Sequence, residues 1–564
     1  MGLFFQPGNL PFSRISSKEY YVDRTAVIGE INRQLDKGNN LICLSLPRRS
    51  GKTWQYQSLV SYYDDSCDSS DLFEGFAISK DATFKKHMNQ YIAIRLDMAI
   101  LMADVLKKGG DIRSYVEECL KKDALLCFPD LCLSPDWDIS IILSQIVEQK
   151  GKLLFFFIDE WDAPIRMAAE NPDEQMSYLN LLRSWFKNGF FTESFVAGAY
   201  MTGILPIKKI KGESALSDFK EYTILEPGFF APYIGFHEEE VRSLCEGRVC
   251  FEQLKDWYDG YTALDWHYYN PYAVIQAIDN GKVGNYWPAT SAAESLTDYL
   301  KLNYDGLQEA AVALTGGARL LVDTSKFQND TVRFRSKEDV LTLLIHLGYL
   351  TYDSITAEDM RNWNEKEKEE IGLDSSFVWA RIPNLELRKI FRDLLDQNKG
   401  IPELVRFMKS SVQLLKDTEA MDSKAVAQAF HKLHATNYAP RLYNNEQSLR
   451  SLIRIAYIAY LDEYYKLEEI PSGKGIADII FIPMQGSRYL PMIVELKWNR
   501  STKSALTQIL QKEYHSILVN TSQDILFVGI NYDTNSGAHS CKITKIRREG
   551  AEYRVVQESE MATA

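Results

Sequence analysis

An apolar, strand-length run at residues 41–46 (Leu-Ile-Cys-Leu-Ser-Leu) leads directly into Pro47-Arg48-Arg49-Ser50-Gly51-Lys52-Thr53. No other segment restricts the possible folds of this chain as strongly. A run without polar alternation suits a strand covered on both faces, as in a parallel sheet. The glycine and the Lys-Thr pair suit a tight turn into a helix start, where backbone N–H groups converge and attract an anion. Similar runs lie at 91–96, 153–158 and 195–202, separated by amphipathic stretches. Residues 1–235 therefore have the rhythm of an α/β domain.

In a phosphate-binding loop, Gly51 permits close backbone approach, Lys52 reaches the β/γ-phosphates and Thr53 offers a hydroxyl to Mg2+, with Ser50 beside them. Leu46 stands where the first glycine of G-x-x-x-x-G-K-[ST] is wanted, and a lone Ser-Gly-Lys-Thr also suits an ordinary helix start. A second element points the same way. The run 153–158 ends in Asp159-Glu160, 107 residues after Lys52. Asp159 is expected to hold Mg2+ and Glu160 to polarise an attacking water. Thr202, closing the run 195–202, is expected beside the γ-phosphate as a sensor, although Thr-Gly after a strand is common in turns.

The 564 residues suggest three or four domains at ~100–200 residues each. With 45% hydrophobic and 25% charged residues the chain is globular, which excludes a disordered or collagen-like protein. The net charge of −13 argues against a general coat of nucleic-acid-binding charge but allows a local basic groove. The 8 cysteines form no C-x-x-C pair and are expected to be reduced. The first residues lack the basic and apolar regions of a signal peptide, and no apolar run is long enough to span a bilayer, so a cytoplasmic protein is expected.

Helical periodicity dominates residues 236–440. Near 335–396 it gives way to a helix (339–347), two strands (349–354 and 377–382) flanking the charged segment 362–370, and a second helix (385–396). Either a winged-helix-like module or an ordinary helical packing domain accounts for this order. Residues 441–564 form a third part. There a helix (442–465), a hairpin (476–482 and 490–498), a helix (504–518) and a strand (524–530) are expected.

That hairpin carries the second chemical pattern. Residues two apart on a strand share a face, so Glu495 and Lys497 project together. Asp478 and Glu495 are equidistant from the centre of Gln485-Gly-Ser-Arg488, so a simple hairpin turning there sets them opposite each other, Cβ atoms ~4.5–5.5 Å apart. Opposed carboxylates destabilise a sheet unless a divalent cation lies between them. Two carboxylates holding Mg2+, with Lys497 orienting a water, constitute the apparatus of metal-dependent phosphodiester hydrolysis. An exposed hairpin with a cross-strand charge pair is the plainer alternative.

Several motifs resemble those of the AAA-ATPase-like family. They are Tyr20-Tyr-Val-Asp-Arg-Thr25, Pro47-Arg-Arg-Ser-Gly-Lys-Thr53, Asp71-Leu-Phe-Glu-Gly75 and Ile158-Asp-Glu-Trp-Asp162-Ala-Pro164, followed by Trp257-Tyr-Asp-Gly-Tyr261, Tyr269-Asn-Pro271, Tyr286-Trp287 and Leu347-Gly-Tyr-Leu350. The family loop reads P-R-R-F-G-K-[ST] and its acidic motif D-E-Y-D, so Ser50 and Trp161 are the departures and the missing first glycine is normal. The resemblance covers most of residues 5–390 and implies an AAA+-like P-loop domain binding ATP and Mg2+, with Arg48 and Arg49 contacting phosphate or a neighbouring subunit. Ordinary solvated arginines are the alternative for both.

The C-terminal part resembles the PD-(D/E)XK nuclease superfamily, in the branch fused behind such ATPase domains. That branch reads G-[KR]-G-x-x-D, I-[IV]-E-[LF]-K and A-x-x-Q-I followed by Tyr. The matching segments are Gly473-Lys-Gly-Ile-Ala-Asp478, Ile493-Val-Glu-Leu-Lys497 and Ala505-Leu-Thr-Gln508-Ile with Tyr514. The resemblance implies a restriction-endonuclease-like α/β domain acting on nucleic acid, chiefly DNA, with Asp478 and Glu495 as metal ligands. It implies that Gln508 faces the site, with a helix-surface glutamine as the alternative, and it leaves a homo-oligomer open. Glu446 is a candidate further acid. A switch or scaffold that binds without cutting, or an ATPase that binds ATP but turns it over slowly, are the competing functional readings.

Overall fold

In the computed structural model, residues 2–207, 209–210, 213–214, 216–287, 306–325, 327, 336–362, 376–397, 402–434, 456–457, 464–472, 475–483, 488–498, 524–533, 535–549 and 552–561 are described. The chain divides into two units, Met1–Pro288 with Leu321–Glu386, and Ala289–Leu320 with Leu387–Ala564.

The first unit is built on five parallel strands, β1 (Leu41–Ser45), β2 (Ile92–Asp97), β3 (Leu154–Asp159), β4 (Val196–Gly203) and β5 (Lys220–Thr223), in the order β2-β3-β4-β1-β5. The four expected apolar runs are β1 to β4. Their residues are nearly all buried, as a parallel sheet covered by helices requires. Helix α1 (Lys52–Tyr63) follows β1, and the short α2 (Ala163–Met167) follows β3. Phe156 stacks on Trp185 and Tyr63 on Phe155, so aromatic rings fill both sides of β3.

Beyond the sheet, Asn270 caps α3 (Pro271–Asn280) by accepting from the Tyr272 and Ala273 amides. A short antiparallel pair, Tyr261–Ala263 with Trp266–Tyr268, lies in the stretch where helical periodicity dominates the sequence. The predicted helix-hairpin-helix near 335–396 is present as α4 (Lys337–Leu347), β7 (Thr351–Ser354), β8 (Phe377–Arg381) and α5 (Leu385–Gln397). A third strand, β6 (Leu320–Asp323), gives the sheet order β6-β8-β7. Most of the charged segment 362–370 lies outside the described residues.

The second unit contains α6 (Pro402–Glu419), α7 (Ser423–His434) and a six-stranded sheet. Its strands are β9 (Tyr464–Ser472), β10 (Gly475–Pro483), β11 (Met492–Trp498), β12 (Asp524–Asp533), β13 (Ala538–Glu549) and β14 (Glu552–Met561), in chain order. All neighbours are antiparallel except β11 and β12. Parallel neighbours need a crossover connection, and the expected helix 504–518 falls in the intervening stretch, outside the described residues. The helix expected over 442–465 lies mostly outside them too, and at its end it is corrected, because Tyr464 and Tyr465 open β9. Pairing with Ile482 and Pro483 settles their conformation over any local helical spacing. No helix among the described residues is long and apolar enough to cross a membrane, and the eight cysteines are free.

Candidate functional site

The phosphate-loop candidates gather where β1, β3 and β4 end. Because β4 lies between β1 and β3, its last residues sit between the loop after β1 and the acidic pair after β3. The Thr202 hydroxyl donates to Asp159 Oδ1, and the Glu160 amide donates to the same oxygen at 3.0 Å. Trp161 N–H reaches Thr202 O at 2.9 Å, which ties the acidic motif to β4. Gly203 is required here, since a Cβ would lie 2.6 Å from the Trp161 ring and 2.8 Å from Asp162 Oδ1.

The loop's backbone is bent in a way few residues accept. Gly51 has φ +97 and Arg49 has φ +67, a left-handed conformation that costs a non-glycine residue about 1–3 kcal/mol. Glu160, at φ +50, is a second such residue. Lys52 is buried and donates to the loop carbonyls of Leu46 (2.7 Å) and Pro47 (3.0 Å), while Ser50 Oγ donates to Pro47 O at 2.9 Å. Burial lowers the Lys52 ammonium pKa, and the carboxylates of Glu160, Asp162 and Asp159 act against that shift. Burial raises the Asp159 and Glu160 carboxyls above the usual range, with Lys52 pulling both back down.

A cavity of about 590 Å3 opens onto Ser50, Gly51, Lys52, Thr53, Glu160 and Arg166. That size falls within the ~300–1,000 Å3 of small-molecule sites. Tyr21, Trp54 and Phe236 are among the aromatic residues that line it. Thr53 is exposed at the first turn of α1, whose positive end faces the loop.

Contacts of four residues that sequence reasoning did not foresee complete this region. Arg49, expected on phosphate, stacks its guanidinium on Tyr272 at 3.8 Å and donates to Tyr286 O at 2.8 Å. Glu386, buried at the start of α5, accepts from the Tyr286 (2.6 Å) and Trp287 (2.8 Å) amides, and burial pushes its carboxyl up to about 7. Arg166 donates from Nε to Asp162 and from Nη2 to Glu160, each at 2.8 Å. A basic residue four positions after the last acid of the Asp-Glu-Trp-Asp motif was the signal available for Arg166. Arg24, in the Tyr20–Thr25 motif, makes a bidentate pair with Glu240 and donates to Gly235 O.

Comparison with known proteins agrees with this geometry. Residues 8–211 match the AAA-ATPase-like family, described as a predicted AAA-ATPase. The N-terminal part thus carries a predicted AAA-ATPase domain, and the match spans β1 to β4 and every residue of the loop and acidic motif. An "uncharacterized protein in vnfD 5'region" of Azotobacter chroococcum mcd 1 is 20% identical over 528 residues, covering 92% of this chain and 93% of that protein.

The strands of the second candidate site lie beyond the AAA-ATPase match. Ile479 pairs with Val494, Ile480 with Ile493 and Phe481 with Met492. Asp478 on β10 and Glu495 on β11 are the residues next to the first of these pairs, Ile479 with Val494. Glu495 is buried, at 1% exposure, and pairs in register with Gly529 of β12, as Lys497 does with Asn531. Gly529 and Asn531 in turn pair with Lys542 and Ser540 of β13. Glu495, Asn531, Ser540 and Lys542 are all buried polar residues on one face, an unusual content for a sheet interior. The side chains of Asp478 and Lys497, together with Gln508 and Glu446, lie outside the described residues, as does the turn at 484–487. Among the described residues no three His, Cys, Asp or Glu side chains cluster as metal ligands.

Proposed function

We propose that the chain is an ATP-binding, ATP-hydrolysing protein whose first unit controls a Mg2+-dependent nuclease in its second. The observation that carries the ATPase reading is that Lys52 and Glu160 line one cavity of nucleotide size, with the hydrogen-bonded pair Asp159 and Thr202 adjoining Glu160. The donor set fits the group it would take. A buried ammonium, a helix start and a left-handed glycine suit a triphosphate, and a threonine hydroxyl with a nearby carboxylate suits Mg2+. Bound Mg2+ would supply charge neutralisation at the β- and γ-phosphates. Lys52 would exchange its loop carbonyls for phosphate oxygens, with Ser50, Gly51 and Thr53 supplying further donors. Thr53 and Asp159 would hold the ion, Thr202 would fix the Asp159 carboxylate, and Glu160, its pKa raised by burial, would take the proton of the attacking water. Arg49 belongs to this site as the residue tying the loop to α3.

The nuclease reading rests on the β10–β11 register and on the buried Glu495. In it Asp478 and Glu495 hold Mg2+, Lys497 stabilises charge on the scissile phosphate and Gln508 contacts DNA. The residues 1–235, 236–440 with a winged-helix-like module at about 335–396, and 441–564 are the corresponding three functional parts. The test is turnover of Mg-ATP by the full chain with and without DNA. Glu160→Gln is expected to keep ATP binding and lose hydrolysis by on the order of 100-fold. Unchanged hydrolysis in that variant overturns the assignment of Glu160.

A further inference from the structure

Arg166 divides its guanidinium between two unequal partners. Asp162 is wholly buried, and its carboxylate also accepts the backbone N–H groups of Ile204 (3.3 Å) and Leu205 (3.1 Å), so it is pinned to the chain after β4. Glu160 is different. Its side chain keeps 31% exposure and faces the cavity that Lys52 and Arg166 also line. The Nε contact to Asp162 is therefore an anchor, and the Nη2 contact to Glu160 is the one able to change hands.

A guanidinium pairs with phosphate oxygens as readily as with carboxylate, through the same planar donors. A terminal phosphate held near Lys52 would therefore compete with Glu160 for Nη2. Glu160 reaches its present place with a backbone φ of +50, a conformation that must be held by its surroundings. The Arg166 pair is a contact able to hold it.

We propose that Arg166 is a positioning residue that reads the terminal phosphate of a nucleoside triphosphate. Without that phosphate, Arg166 ties the Glu160 carboxylate down. When the terminal phosphate takes Nη2, Glu160 is released toward the water it must polarise, while Asp162 keeps the arginine in place. A diphosphate, lacking the competing group, leaves the Arg166–Glu160 pair intact. The proposal rests on the reading of this cavity as an ATP site and adds to it the means of telling ATP from ADP.

The test is equilibrium binding of a non-hydrolysable ATP analogue and of ADP, each with Mg2+, to the full chain and its variants. Arg166→Ala is expected to weaken the analogue about tenfold and ADP by less than about twofold. Arg166→Lys, which keeps the charge but not the fork, is expected to recover part of the loss. Glu160→Gln is expected to tighten the analogue when Arg166 is present and to do so much less in the Arg166→Ala background. Equal weakening of analogue and ADP, or an equal Glu160→Gln effect in both backgrounds, overturns the proposal. Failure of the unaltered chain to bind either nucleotide overturns the ATP reading first, and this proposal with it.

Discussion

The parallel sheet of the first unit and the mixed sheet of the second assemble their candidate chemistry by opposite means. In the parallel sheet, Lys52, Asp159 and Thr202 come from segments up to 150 residues apart and meet because β4 is inserted between β1 and β3. Asp159 and Thr202 sit at the ends of β3 and β4 and Lys52 opens α1, and beside them Glu160 and Arg166 keep partial exposure and have room to exchange partners. In the mixed sheet, Asp478 and Glu495 lie within strands, next to Ile479 and Val494 respectively, which pair in a hydrogen-bonded ladder. A partly exposed site at strand ends can respond to a ligand. A site inside a ladder is preorganised and can change only if a strand moves.

The largest effect should therefore come from the rigid site. Glu495→Gln is expected to reduce Mg2+-dependent DNA cleavage on the order of 1,000-fold while leaving ATP affinity unchanged, as read by a gel assay beside a nucleotide titration. Cleavage that survives would remove the chemistry from the mixed sheet and end the comparison.

A smaller effect tests whether close loop packing supports the first site. Gly260 has φ +100, and a Cβ there would lie 2.1 Å from Pro383 O. Gly260→Ala is expected to cost about 2–4 kcal/mol in urea unfolding of the transition that ATP protects. An unchanged midpoint would show that the approach of these two loops is not needed.

The smallest effect concerns Glu386, whose folded carboxyl titrates at about 7 against an ordinary 4.5. Between those values the folded chain holds a proton that the unfolded chain has released. This group's contribution to stability therefore falls as pH rises through that window, and it is level above it. Glu386→Gln removes the titration. Relative to the unaltered chain, the variant is expected to gain stability steadily from pH 5 to 7.5, by up to about 3 kcal/mol. A difference independent of pH would contradict the burial that raises this carboxyl.

The same contrast explains what could be read from the residues alone. Runs 41–46, 91–96, 153–158 and 195–202 announce β1 to β4 because strands buried on both faces carry few polar residues to disguise them. Lys-Glu-Tyr-Thr of β5 escaped notice as an edge strand with charged, partly exposed positions. The strand β13 escaped because Lys542, Lys545, Arg547 and Arg548 break up its apolar residues, as Glu552, Arg554, Glu558 and Glu560 do in β14, and cross-strand partners such as Asp524 with Arg547 make such charges acceptable. Loop and acidic motif were legible because phosphate chemistry demands particular residue types. Arg166 and Glu386 were not, since their importance lies in which distant groups they meet.

That the cavity after β1 holds ATP through Lys52 is tested most directly by titrating Mg-ATP onto the full chain and onto Lys52→Ala by calorimetry. Saturable one-site binding, weakened on the order of 100-fold in the variant, is the expected result. Equal affinity in the two proteins, or no binding to the unaltered chain, would contradict it.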